Sequence, residues 1–92
     1  MELAAFQQVI ADTYAAQDRA RGLPSTIAWM AEEVGELAQA VRKGTREEQL
    51  HELGDVLAWL ASLAEQLDLS LEDAAARYAG GCPRCGAIPC AC

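Results

Sequence analysis

Aromatic, basic and rigid residues are all scarce in this sequence. Its 92 residues include one Phe, two Trp, two Tyr, three Pro and a single His. So few aromatics leave little to fill the space between two β-sheets. A hydrophobic fraction of 52%, mostly Ala and Leu, suits helix packed on helix. Basic residues are also few: seven Lys and Arg stand against fourteen Asp and Glu, for a formal net charge of −7. That balance excludes a surface built to neutralise the phosphates of a nucleic-acid polymer, while leaving open a single nucleotide held through a metal ion. No stretch approaches the roughly 18 uninterrupted apolar residues of a membrane span, so no membrane partner is expected. Met1-Glu2-Leu3-Ala4-Ala5-Phe6 has no basic region leading into an apolar run; no secretory signal is evident and a cytoplasmic location is expected. Cysteine is absent until residue 82 and then occurs four times in eleven residues. A disulfide framework would be spread out to staple the fold, so this clustering points to a local metal site.

What is present reads as helix. A chain this short makes one domain, and one so rich in Leu and Ala leaves an apolar face for a second copy, so a homodimer or homotetramer is expected. From Leu3 to about Arg21, Leu3, Phe6, Val9, Ile10, Thr13, Tyr14 and Ala16 recur at helical spacing, with Gln7, Gln8, Asp12, Gln17, Asp18 and Arg19 on the other side. Gly22-Leu23-Pro24 ends this helix. Ser25 is the expected N-cap of a second helix to about Lys43, with Ile27, Met30, Val34, Leu37, Ala38 and Val41 on one face. Trp29, Glu33, Glu36, Ala40 and Lys43 form a stripe beside that face, and Gly44 is expected to close the helix in the left-handed conformation. Thr45 with Glu48 makes a capping-box pattern for a third helix. Leu50, Leu53, Val56, Leu57, Leu60, Ala64 and Leu67 are its apolar face, and Glu48, Glu52, Asp55, Trp59 and Ser62 an adjacent stripe. After a break at Asp68-Leu69, Ser70 caps a short fourth helix ending near Tyr78.

The two acidic stripes belong together. Glu36 lies eight residues before Gly44 and Glu52 eight after it; Glu33 and Asp55 are each eleven away. In an antiparallel hairpin, equal counts mean equal heights at about 1.5 Å of rise per residue. Glu36 is therefore expected opposite Glu52, and Glu33 opposite Asp55. The i, i+3 spacing puts each pair on one face. No Lys or Arg follows at the i+4 positions a surface ion pair would use, which is unlike an ordinary solvated face. Four unpaired carboxylates make sense around a hard cation, Mg²⁺ or Mn²⁺, which commonly binds together with substrate phosphates. A di-iron bundle would want Glu-x-x-His. The only histidine, His51, points roughly 100° away from Glu52.

EEVGELAQAVRKG followed by HELGDVLAWL resembles the MazG-type nucleotide pyrophosphohydrolases of the all-α NTP pyrophosphatase group. Glu33-x-x-Glu36 and Glu52-x-x-Asp55, fifteen residues apart and each with Gly before its final acid, fit that signature. The resemblance spans roughly residues 25–67. It implies Mg²⁺-dependent hydrolysis of a nucleoside triphosphate to the monophosphate and pyrophosphate, with Glu33, Glu36, Glu52 and Asp55 as metal-holding catalytic acids. Glu32 falls outside the stripe. By their places on the stripes, Lys43 is a candidate for a phosphate, and Trp59 and Trp29 for the base. The family's use of first-helix side chains makes Gln8, Tyr14 and Gln17 further candidates.

The tail carries Cys82-Pro83-Arg84-Cys85-Gly86 and Cys90-Ala91-Cys92. C-x2-C followed by Gly is a half-site for tetrahedral Zn²⁺, and C-x-C supplies a tighter second half. Structural zinc is expected there, within one chain or between chains. The reading is thus an all-α hairpin-based bundle of about four helices over residues 1–80, completed by oligomerisation, with a Cys-rich tail at 81–92. The expected function is a nucleoside triphosphate pyrophosphohydrolase that cleans nucleotide pools. The competing readings are a non-enzymatic zinc-bearing interaction module, and a hydrolase of another phosphoanhydride such as phosphoribosyl-ATP.

Overall fold

The computed structural model covers Met1–Cys92 and is all-helical. Its elements are α1 (Leu3–Arg21), α2 (Leu23–Lys43), α3 (Arg46–Gln66) and α4 (Leu71–Ala76), followed by the irregular Cys-rich tail. The third helix is central: α2 packs along it as the second arm of a hairpin, and α1 packs on it as well, while α1 and α2 touch little. The short α4 lies against α1. No helix is long and apolar enough to cross a membrane.

The two helix junctions differ from the sequence expectation in instructive ways. Ser25 does not cap α2. A single residue, Gly22, ends α1 and starts α2, with φ 86°. Pro24 falls in the first turn of α2, where its missing N–H would have no intrahelical partner, so it starts the second helix as well as stopping the first. Gly44 is not left-handed either; it is extended, at φ −95° and ψ 172°. It is glycine for closeness: a Cβ there would meet the Ala40 carbonyl oxygen at 2.8 Å and its Cα at 2.9 Å. The other caps follow the sequence. Thr45 and Glu48 form a complete capping box, and the Ser70 hydroxyl accepts from the Asp73 N–H. After Ala76 the chain tightens into successive i→i+3 turns through Ala79, so α4 ends earlier than expected.

The core is thin and half polar. Only eight residues are buried: Ile10, Ala40, Ala61 and Ala64, and the polar Gln7, Asp18, Thr26 and Ser62. The small residues on α3 let its neighbours approach closely, and the polar ones tie distant segments together. Gln7 donates to the Leu69 carbonyl and accepts from the Leu71 N–H, both at 2.8 Å, fixing the α3–α4 corner to α1. Gln66 donates to the Thr26 hydroxyl at 2.8 Å, which donates in turn to the Gly22 carbonyl, locking the α1–α2 turn to the end of α3. Gln7 and Asp18, on the polar side of α1 by sequence pattern, are therefore interior groups.

Most large apolar side chains remain outside. Ile27, Val34 and Val41 on α2, and Leu50, Leu53, Leu57 and Leu60 on α3, are exposed. With Met30 and Leu37, and with Ala64 and Leu67, they repeat at alternating three- and four-residue spacing, the seam of a helical bundle. The radius of gyration is 15.2 Å, against about 12 Å for a compact chain of this length.

Candidate functional site

The hairpin brings the acidic stripes together. Carboxylate oxygens of Glu33, Glu36 and Glu52 lie within 4.8 Å of one another. Of the neighbouring charges, that of Glu36 acts most strongly on both Glu33 and Glu52. Asp55, one turn further along α3, lies within 4.8 Å of Glu52 and His51, and its charge is felt at Glu33. Burial holds the Glu33 carboxyl above its ordinary range, and the charges of Glu36, Asp55 and Glu52 push the same way. Burial likewise raises Glu52, followed by the charges of Glu36 and Asp55. No Lys or Arg forms an ion pair with any of the four. Glu32, the first of the doubled glutamates, is exposed.

One oxygen on each side of the hairpin is left without a partner. Glu33 Oε2 and Glu52 Oε2 are both shut off from solvent and accept no hydrogen bond. Burying a carboxylate oxygen unpaired is costly, and two of them beside a third carboxylate is a donor set that a divalent cation satisfies. Hard oxygen ligands suit Mg²⁺ or Mn²⁺.

His51 is nearer the acids than its helical angle from Glu52 suggests. Its Nε2 lies 3.3 Å from Asp55 Oδ2, one turn on. The signal was local: counting four residues back from Asp55, rather than only forward, reaches His51. Its contact is to a single oxygen of Asp55, and both orphaned atoms belong to glutamates.

Two clefts flank the acids. One, of about 230 Å³, lies between α1 and α3 and is lined by Tyr14, Gln17, Asp18, Arg21, Asp55 and Trp59, among others. The other, of about 470 Å³, is a wider groove near the hairpin turn that includes Glu36, Lys43, Gly44, Glu48 and Glu52. The first is the smaller cleft and reaches only Asp55 of the four acids. Tyr14 and Gln17 thus face the site, whereas Gln8 is spent on an exposed bond to Asp12 at 2.8 Å. Lys43 is exposed, forms no ion pair and lines the groove with Glu36 and Glu52.

The tryptophans are partners rather than two independent platforms. Trp29 and Trp59 stack across the hairpin, with centroids 6.1 Å apart and planes within 7°. The Arg21 guanidinium sits 4.8 Å from the Trp59 ring centroid and bonds the buried Asp18 at 2.7 Å. Arg21 ends α1 beside Gly22, and nothing in the α1 pattern marks it out. Its place is set by the ring and the carboxylate it bridges.

The four tail cysteines also converge. All are free thiols, and their sulfurs lie within 4.8 Å of one another. The N–H groups of Ala91 and Ala87 hold the Cys85 thiol down to about 6, and those of Cys85 and Arg84 lower Cys82.

The profile of the MazG nucleotide pyrophosphohydrolase domain matches residues 21–80. No curated protein matches the chain significantly. The matched span begins at the last residue of α1, takes in both acidic stripes and stops two residues short of Cys82. With nearly two thirds of its length so matched, and its acids converging across the α2–α3 hairpin, the chain belongs to the MazG nucleotide pyrophosphohydrolase family.

Proposed function

We propose that the protein hydrolyses nucleoside or deoxynucleoside triphosphates at the α–β phosphoanhydride, giving the monophosphate and pyrophosphate, and that Mg²⁺ or Mn²⁺ is required. The observation that carries this reading is the pair of orphaned oxygens, Glu33 Oε2 and Glu52 Oε2, on two members of one carboxylate cluster. Glu33, Glu36, Glu52 and Asp55 would hold the cation. A hard cation there neutralises polyphosphate charge and acidifies water in its shell. The other residues orient the substrate. Lys43 is the free cation on the groove side and suits the outgoing pyrophosphate. Tyr14 and Gln17 supply an aromatic edge and an amide in the α1–α3 cleft for the nucleoside. Trp59 is already engaged by Trp29 and Arg21, so base stacking there requires Arg21 to move or to stack with it. His51 holds one oxygen of Asp55 and so orients the other.

Self-association belongs to this reading. The three-four seams on α2 and α3 leave too much apolar surface for a lone chain, and a second copy presents the matching seam. The four free thiols suit a reducing compartment, and a cytoplasmic pool-cleaning role fits them.

The test is pyrophosphate release from a panel of ribo- and deoxynucleoside triphosphates, with phosphoribosyl-ATP included, assayed with and without Mg²⁺. Turnover should need the metal and fall on the order of 100-fold or more in Glu36→Gln and Asp55→Asn. Metal-independent turnover, or full activity in both variants, would remove the carboxylates from the chemistry. Turnover of phosphoribosyl-ATP alone would keep the site and change the substrate.

A further inference from the structure

The tail cysteines lie beyond the family match and contribute nothing to the carboxylate site, yet their arrangement is more specific than a loose run of thiols. A tetrahedral ZnS₄ centre with Zn–S bonds of about 2.3 Å sets its sulfurs about 3.8 Å apart. Here Cys82 Sγ lies 3.8 Å and Cys90 Sγ 3.5 Å from Cys92 Sγ, and all four sulfurs lie within 4.8 Å of one another. A disulfide would bring a pair to about 2.05 Å; none is formed. The two closest spacings, both to Cys92 Sγ, are near those of a tetrahedral thiolate centre.

The backbone is built to hold that arrangement. The Ala91 N–H points at Cys85 Sγ at 3.4 Å, the kind of donor that fixes a ligating thiolate and spreads its charge. The loop is closed on itself by two bonds: Gly86 N–H to the Cys82 carbonyl at 2.6 Å, and Cys82 N–H to the Ala87 carbonyl at 3.1 Å. Gly86 turns at φ 73°, immediately after the C-x2-C. Gly81, at φ 104°, has no room for a side chain: a Cβ would lie 2.5 Å from Ile88 Cγ1 and 2.8 Å from the Ala87 carbonyl oxygen. The segment buries no hydrophobic core of its own, and Cys85, Cys90 and Cys92 are exposed. Four thiols do not gather on the surface of a coreless loop for apolar reasons.

We propose that Cys82, Cys85, Cys90 and Cys92 bind one Zn²⁺ per chain as a closed structural centre, chemically separate from the carboxylate site. Each cysteine coordinates as thiolate, releasing its proton to solvent, so the loaded centre carries two negative charges. With four protein ligands it has no open position for substrate or water, and its role is to fold the tail. The two sites select different ions. Soft thiolates favour Zn²⁺ strongly over Mg²⁺, whereas an all-oxygen carboxylate set lacks that bias and suits hard Mg²⁺ or Mn²⁺.

Metal analysis of the full-length protein, purified under reducing conditions and dialysed against a weak chelator, should return one zinc per chain. The Cys85→Ser and Cys92→Ser variants should lose it. Cobalt added to the metal-stripped, reduced protein should give the intense visible bands of tetrahedral thiolate coordination, saturating at one equivalent. Because α1 to α3 are held by contacts outside the tail, far-ultraviolet circular dichroism should keep its helical signal in both variants, separating metal loss from misfolding. Half an equivalent of zinc per chain would overturn the single-chain centre. Bound iron in place of zinc, or a mass 2 Da low per cysteine pair with no metal, would overturn the zinc assignment. None of these readouts depends on nucleotide turnover, so a failure here leaves the hydrolase reading standing.

Discussion

Glu33 shows what the carboxylate site costs a metal-free chain. Its carboxyl is held above 4.5 first by burial and then by Glu36, Asp55 and Glu52. In the unfolded chain it ionises near 4.5, so between that pH and its raised folded value the folded state binds the extra proton. Stability without metal therefore falls as pH rises through this window, and the penalty is complete above the folded value. Glu33→Gln removes the penalty and a ligand together. At neutral pH the variant is expected to melt higher than the parent in chelator, and to gain less when Mg²⁺ is added. Thermal melts at pH 4 and pH 7, with and without Mg²⁺, measure both effects. A variant that gains as much from Mg²⁺ as the parent would take Glu33 out of the ligand set.

At the scale of elements, the α2–α3 turn sets the register of the whole hairpin. The Thr45 hydroxyl accepts from the Glu48 N–H at 3.1 Å, and the Glu48 carboxylate accepts from the Thr45 N–H at 3.1 Å. Gln49 adds a bond to the Ala40 carbonyl at 3.2 Å, tying the end of α2 to the start of α3. Thr45→Ala should cost about 1 kcal/mol of stability, measurable by denaturant unfolding. Glu48 titrates in the opposite sense to Glu33. Its pKa is lowered from 4.5 by the Thr45 N–H and then by the Thr45 hydroxyl, so its contribution is present above 4.5 and fades as pH falls through the folded value. Glu48→Gln should flatten the acid limb of a melting-temperature profile while leaving Glu33's slope in place. This turn was legible in the sequence because every partner lies within a few residues. The Gly44 conformation was not. A left-handed cap is the usual reason for glycine after a helix, and only the approach of Ala40 reveals the other one.

For the whole molecule, eight buried residues and an exposed seam on both arms of the hairpin leave the chain short of a full interior. Gly35 and Gly54 point the same way. Each sits mid-helix, where glycine costs about 1 kcal/mol relative to alanine, yet a Cβ at either would meet nothing within 4 Å in its own chain. Leu57, in the middle of the α3 seam and 39% exposed, is the residue to test. Leu57→Glu should weaken self-association by on the order of 30-fold or more, about 2 kcal/mol. Sedimentation or light scattering across a concentration series reads this directly. An unchanged monomer in parent and variant alike would mean that the exposed seam stays uncovered.

The sequence by itself determined the helices, their caps at Thr45 and Ser70, and the approach of Glu33 and Glu36 on one arm to Glu52 on the other. All of these follow from spacing along one chain direction, and in an antiparallel hairpin equal counts from the turn leave little freedom in height. It also marked the cysteines as a local cluster, since eleven residues cannot separate them far. Tertiary structure alone decided which polar groups go inside. Gln7, Asp18 and Thr26 are buried because partners tens of residues away, or the ring of Trp59 beneath Arg21, close over them. Their residue types carry no trace of that. Helical periodicity reports the direction a side chain points; only the packed neighbours decide whether water or protein waits there.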